Sequence, residues 1–196
     1  MVTVGGLFSG IGGIELGFEK AGFKILWSNE FDENCNKTFR HNLNHKLYSE
    51  SITDINFKKI KPVDVLVGGF PCQAFSVAGY RKGFKDERGN LFFQICRAIE
   101  ELKTKPKVLM LENVKNLTGH DKGKTARVIV NSLRELGYSV FWKIFNTFVQ
   151  NFFTMESCDY KSKILFFQLN FQEFIYLFIL YYVHKFFMII IKIFKL

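Results

Sequence analysis

The sequence predicts an α/β protein built on a parallel sheet with helices on both faces. Two observations predict it: short apolar runs of strand length alternate with segments whose apolar residues recur at helical spacing, and glycines punctuate the changes between them. A third gives the prediction its use. The residues able to do chemistry fall directly after the strands, and open sheets of this kind bind ligands beyond the carboxyl ends of their strands.

The elements follow in order. Val2 to Phe8 reads as a short apolar strand, broken by Gly5 and Gly6, that runs into the turn-rich stretch Ser9 to Gly13. Ile14, Phe18 and Ala21 stripe a helix, Gly22 offers a left-handed stop, and Ile25 to Trp27 is the next strand. Val63 to Val67 is a continuous apolar run of the buried-strand type. Leu91, Ile95, Ala98 and Leu102 stripe a second helix, and Val108 to Leu111 is another buried strand. Val128 to Leu136, stopped by Gly137, makes a further helix before the strand Val140 to Phe145.

The 196 residues are 48% hydrophobic, enough for one domain with a sizeable core. Only five of the 27 basic and three of the 18 acidic residues follow Asn146, so most of the net +9 belongs to residues 1–146. Such an excess suits a phosphate-bearing partner, and equally suits a basic protein with none. Cys35, Cys72, Cys96 and Cys158 form no CxxC pair and stand at no zinc-like spacing, so neither a disulfide framework nor a metal site is expected and a reducing, cytoplasmic setting fits best. The start, MVTVGGLFSG, is not a secretory signal, since no basic region precedes a long apolar core.

Four features carry chemistry. Phe8-Ser9-Gly10-Ile11-Gly12-Gly13 stands between a strand and a helix, where glycines let the backbone approach a ligand and helix amides can meet an anion; an ordinary tight turn would look the same. Glu30 lies 18 residues beyond Gly12 at the end of the second strand, where a carboxylate can accept hydrogen bonds from both ribose hydroxyls, although a solvated helix-start residue is the plainer alternative. Gly69-Phe70-Pro71-Cys72-Gln73 sets Cys72 after a buried strand, where a nucleophile is useful, whereas most free cysteines are simply small buried hydrophobes. Glu112-Asn113-Val114 closes the next strand and brings a carboxyl to the same edge.

Together FSGIGG, SNEF, GGFPCQAFS, RGNLFFQ and LENV, in this order, resemble the DNA (cytosine-5) methyltransferase family over roughly Val2 to Asn146. The wording GFPCQAFS looks like the bacterial restriction-modification branch. The resemblance implies a Rossmann-like sheet of the S-adenosylmethionine-dependent methyltransferases, incomplete here, followed by an atypical apolar tail. It implies that Cys72, as a thiolate, attacks carbon 6 of a cytosine flipped out of double-stranded DNA, because the aromatic ring needs covalent activation before carbon 5 can accept a methyl group. Glu112 would hydrogen-bond the ring nitrogen and exocyclic amine.

For S-adenosyl-L-methionine, the resemblance assigns Phe8, Gly10, Ile11 and Gly12 to the methionine moiety, Glu30 to the ribose, Phe31 to the adenine face and Leu91 to a lining contact. One departure stands out: the position of the family's adenine-binding aspartate is Ser51 in Ser51-Ile52-Thr53, with Asp54 a possible substitute. Between Cys72 and Asn90 the glycines and the basic residues suit a loop closing over phosphates, with Gln73, Ser76, Arg81 and Arg88 as DNA contacts; a solvated basic loop is the bland alternative.

After Asn146 the composition turns to Phe, Ile, Leu, Tyr and Lys, and the family's later Pro-Gln and Arg-x-Arg motifs and recognition region are not found. The expected division is a partial catalytic and cofactor-binding domain over 1–146 and a non-family tail over 147–196, explained by a frameshift or truncation. Phe174 to Val183 and Phe186 to Ile191 are apolar but are interrupted by His184 and Lys185, so a membrane span is not expected. Three functions remain open: a cytosine-5 methyltransferase, active alone or with a complementary carboxyl-terminal fragment and working beside a cognate restriction endonuclease; an inactive remnant that binds cofactor or DNA weakly; and, on the tail alone, a membrane-associated protein.

Overall fold

Thr3–Leu7 forms the first strand, β1, although two of its five residues are glycines, and packing explains why. A Cβ on Gly5 would meet the Trp27 indole at 2.5 Å, and one on Gly6 would overlap the carboxyl of Glu15. The glycines that the sequence reading takes as a break are thus the places where neighbouring side chains lie flat against an unbroken strand.

The computed structural model describes residues 1–70, 91–145 and 188–195. After β1 come α1 (Gly13–Lys20), β2 (Lys24–Asn29), α2 (Glu33–Asn42), β3 (Lys46–Tyr48), β4 (Val65–Gly69), α3 (Leu91–Glu101), β5 (Val108–Val114), α4 (Lys124–Glu135), β6 (Tyr138–Phe145) and β7 (Met188–Lys195). The strands lie in the order β3-β2-β1-β4-β5-β7-β6. β1 to β5 are mutually parallel, and β7 runs antiparallel to both its neighbours.

The expected strands and helices are present with shifted ends. The strand read as Val63 to Val67 runs from Val65 to Gly69, and the one read as Val108 to Leu111 continues to Val114, so Glu112 lies within a strand. α2 and β3 were not expected. α2 is polar and buries only Asn36 and Phe39, so it shows no apolar stripe; its start is fixed by Asp32, whose side chain accepts from the Cys35 amide at 2.9 Å. The tail lies mostly outside the described residues, and its described part is the strand β7.

Alternate residues of the central strands feed two cores. Val4, Ile25, Val65 and Val67 face Ile14 and Phe18 of α1, whereas Leu66, Leu109 and Leu111 face the opposite way into a larger cluster with Phe92, Ile95 and Ile99 of α3 and Ile129 and Leu133 of α4. This two-sided burial explains the continuous apolar runs. Each fully buried large aliphatic or aromatic side chain contributes about 1.5–3 kcal/mol.

At the amino ends of the strands Asp64 ties three segments together. It accepts from the Thr3 amide at 3.0 Å, the Thr3 hydroxyl at 2.8 Å and Lys107 Nζ at 2.8 Å. These donors hold its carboxyl down to about 2, the bond from Lys107 contributing most.

Candidate active site

The order of the strands reverses between β1 and β4: β2 and β3 lie to one side of β1, β4 and β5 to the other. Crevices at such switch points, beyond the carboxyl ends, are where open α/β sheets take their ligands. β1 leads into the glycine-rich turn, and β4 leads into Phe70-Pro71-Cys72.

The turn is held from within. Phe8 adopts φ 54, a left-handed conformation that costs a non-glycine residue roughly 1–2 kcal/mol, and its ring packs against the larger core. The Ser9 amide donates to the Asn29 carbonyl at 3.1 Å, and the Gly12 amide to the Ser9 carbonyl at 2.8 Å. Gly12, at φ 90, caps α1, and a Cβ there would meet Leu43 at 2.3 Å. Its amide and its missing side chain therefore serve the turn and the packing of α2. Gly10 differs: at φ 54 it has nothing within 4 Å of where a Cβ would stand, so its outer side is open to a ligand.

Glu30 follows β2 and is buried, with one carboxylate oxygen accepting from the Gly10 amide at 2.8 Å and the other from the Asp32 amide at 2.8 Å. A carboxylate offers about four acceptor positions, so two such bonds orient it and leave capacity on both oxygens. Phe31 beside it is 70% exposed and Ile11 47%, which leaves two apolar surfaces at the rim of this edge. Leu91 opens α3 and packs partly buried against the larger core.

Glu112 is a further carboxyl at this edge. The register pairs it with Gly69, the last residue of β4 and three residues before Cys72. Beyond that pair, the Asn113 side-chain amide donates to the Phe70 carbonyl at 2.6 Å and its oxygen accepts from the Val114 amide at 2.9 Å. Burial pushes the Glu112 carboxyl up to about 7, so near neutral pH it exchanges between acid and carboxylate. Cys72 itself, with Gln73, Ser76, Arg81 and Arg88, lies outside the described residues.

Ser51 closes a small turn, its hydroxyl 2.8 Å from that of Thr53, while Asp54 is exposed and accepts from Thr53 at 3.2 Å. Among the described residues no group of His, Cys, Asp and Glu could hold a metal ion, and no helix is long and apolar enough to cross a membrane. The sequence reading missed Glu15, whose carboxyl is buried beneath the turn and accepts from the Ser9 hydroxyl. In the sequence it looks like any helical glutamate; Gly6 opposite it was the available signal.

A parallel sheet with a glycine-rich turn after its first strand and an oriented carboxylate after its second belongs to the class that binds nucleoside-containing cofactors. The comparisons narrow this. The family described as C-5 cytosine-specific DNA methylase matches residues 2–151, and the chain belongs to that family. It is 47% identical over 148 residues to the type II methyltransferase M.Bsp6I of Bacillus sp. (strain RFL6), covering 74% of this chain and 46% of that protein. To the type II methyltransferase M.NgoBI of Neisseria gonorrhoeae it is 49% identical over 142 residues, covering 72% and 44%. The chain thus spans less than half the length of these relatives. Among solved structures, the S. pombe Dnmt2 methyltransferase superposes with a TM-score of 0.60 at 23% identity, covering 74% of this chain and 45% of that one, a likeness of fold.

Proposed function

We propose that residues 1–146 form the catalytic and cofactor-binding part of a DNA (cytosine-5) methyltransferase of the restriction-modification type. It would transfer a methyl group from S-adenosyl-L-methionine to carbon 5 of a cytosine flipped out of duplex DNA. The observation that carries the reading is the pairing of Glu112 with Gly69 at the switch-point edge, three residues before Cys72, in a chain of this family.

The residues at the edge fit the cofactor. Glu30 is oriented with acceptor capacity left for a ribose diol, Gly10 is open on its outer side, and Phe31 and Ile11 offer exposed apolar faces. Phe8 and Gly12 would shape the turn around the methionine moiety, and Leu91 would line the site. When bound, the cofactor supplies an electrophilic methyl group.

The Cys72 thiolate adds to carbon 6 of the ring, and the electrons displaced toward the ring nitrogen are met by a proton from Glu112. A carboxyl raised to about 7 suits this step, since a substantial fraction carries the proton at neutral pH. Carbon 5, now enamine-like, takes the methyl group; loss of its proton to a water base then expels Cys72 as thiolate, and the ring nitrogen returns its proton to Glu112, leaving 5-methylcytosine. Gln73, Ser76, Arg81 and Arg88 would contact the DNA, and a cytoplasmic location goes with that substrate. The segment 147–196 supplies none of the residues given a role in this reading, although its strand β7 completes the sheet between β5 and β6. A complementary carboxyl-terminal polypeptide would supply target recognition, beside a cognate endonuclease of the same system.

The test is methyl transfer from labelled S-adenosylmethionine to unmethylated genomic DNA, by the chain alone and with the carboxyl-terminal part of a relative added. Incorporation that disappears in Cys72→Ala is expected. No incorporation in either arm, with cofactor still bound, would favour the alternative of a remnant that binds without turnover.

A further inference from the structure

Glu15 has no part in the chemistry above, yet it is the most deeply buried carboxyl of the described edge, 1% exposed. It lies on the first turn of α1, directly under the glycine-rich turn. Gly6 clears the space it fills, since any side chain there would overlap it. One oxygen accepts from the Ser9 hydroxyl; the other is buried with no hydrogen-bond partner.

The groups around it form a short polar chain. Ser9 precedes Gly10, whose amide orients Glu30. From β2, Ser28 favours the charged form of Glu15, and its hydroxyl lies 2.8 Å from His45 Nε2, whose Nδ1 is also buried and unpartnered. Glu30, the titratable neighbour after β2, opposes the charge. Desolvation outweighs the hydrogen bonds and raises Glu15 to about 7, whereas burial lowers His45 to about 4, so the imidazole is neutral. Of Glu15 and His45, Glu15 is therefore the one able to change charge near neutral pH.

We propose that Glu15 is a positioning residue for the cofactor, a buried carboxyl that holds the turn through Ser9 and releases its proton as a cationic sulfonium ligand binds above it. The inference rests on the cofactor reading of the preceding subsection. Its chemistry is simple. A carboxyl that balances between acid and anion is drawn toward the anion by a nearby positive charge, and by linkage the same amount of free energy tightens the ligand. S-adenosylmethionine carries the sulfonium charge and its demethylated product does not, so Glu15 favours substrate over product without touching the methyl group.

Calorimetric binding of S-adenosylmethionine and S-adenosylhomocysteine at pH 6, 7 and 8, in buffers of different ionisation enthalpy, tests this without requiring turnover. The wild-type chain should bind the sulfonium ligand more tightly as pH rises from 6 to 7, by up to about tenfold per unit for one linked proton and with proton release to the buffer, and both effects should fade by pH 8, where Glu15 is already ionised. The thioether product should show a much weaker slope. Glu15→Gln, which keeps an acceptor for Ser9, should flatten the sulfonium slope and leave the product's affinity nearly unchanged, and its circular dichroism should match the wild type. A wild-type chain with no slope, or a folded Glu15→Gln variant with the wild-type slope, overturns the proposal while leaving the cofactor site standing. Glu30→Ala separates the two readings: it should lose both ligands, and if it binds normally, or if the wild type binds neither ligand, the cofactor reading itself fails and this inference with it.

Discussion

At the amino ends of the strands Asp64 is held by three donors from two segments, whereas at the carboxyl ends Glu15 and Glu112 are buried and raised to about 7 chiefly by the loss of water. The same functional group is a fastener at one end and a poised acid at the other. The difference lies in what supplies the partners. Asp64 meets protein donors that favour its charge in the folded chain. The opposite edge gives Glu112 a dry environment that raises its proton affinity and leaves its chemistry to whatever enters the switch-point crevice.

The largest effect that would sharpen this contrast is on rate. Glu112→Gln should slow methyl transfer about 10²–10⁴-fold, the usual contribution of a positioned acid, while cofactor affinity changes little. A loss of cofactor affinity instead would place Glu112 in the binding machinery.

The next effect is on stability, and it compares two glycines. Gly12→Ala introduces a Cβ at φ 90 that meets Leu43 and Phe39, and should cost about 2–4 kcal/mol in denaturant unfolding, whereas Gly22→Ala, at φ 84 with open space, should cost about 1 kcal/mol. Equal costs would mean that the junction of the turn with α2 is looser than described.

Smaller again are two effects of opposite sign with pH. Between its ordinary value of 4.5 and about 7, the folded chain keeps a proton on Glu112 that the unfolded chain has lost, so wild-type stability falls as pH rises through this window. Glu112→Gln should therefore be more stable than wild type at pH 8, by roughly 1–2 kcal/mol, and the gap should close by pH 5. Asp64 works the other way: lowered from 3.8 to about 2, it stabilises the fold above pH 3.8 and loses that contribution as pH falls through 2. Asp64→Asn should cost about 1 kcal/mol at neutral pH, since the group is partly exposed and solvent screens it, and almost nothing near pH 2. Thermal melts across pH distinguish the two ends.

Much of this was legible in the sequence, for physical reasons that also mark where legibility ended. The strands of the centre, buried on both faces, write themselves as apolar runs such as Val65 to Val67, and the glycines at Gly22 and Gly137 mark helix ends because their φ values of 84 and 92 suit little else. The polar helix α2 escaped because two buried residues make no stripe, and β3 because three residues make no pattern. Glu30 and Glu112 could be singled out because they follow apolar runs; Glu15 follows none, and its one sequence signal, Gly6, gains meaning only once β1 and α1 are packed together. The β1 glycines were misread for the same reason, because the indole that needs Gly5 is 22 residues away at Trp27.

The central claim is that the β4–β5 edge carries a cysteine nucleophile working with Glu112, and a trapped adduct tests it most directly. Cytosine bearing fluorine at carbon 5 has no proton to lose there, so after methyl transfer the enzyme–base bond cannot be released. With S-adenosylmethionine, fluorocytosine-containing DNA and a complementary carboxyl-terminal polypeptide, the account predicts a denaturant-stable adduct at Cys72, absent in Cys72→Ala and slow to form in Glu112→Gln. An adduct that persists in Cys72→Ala, or none in the wild type under conditions where cofactor and DNA are both bound, would contradict it.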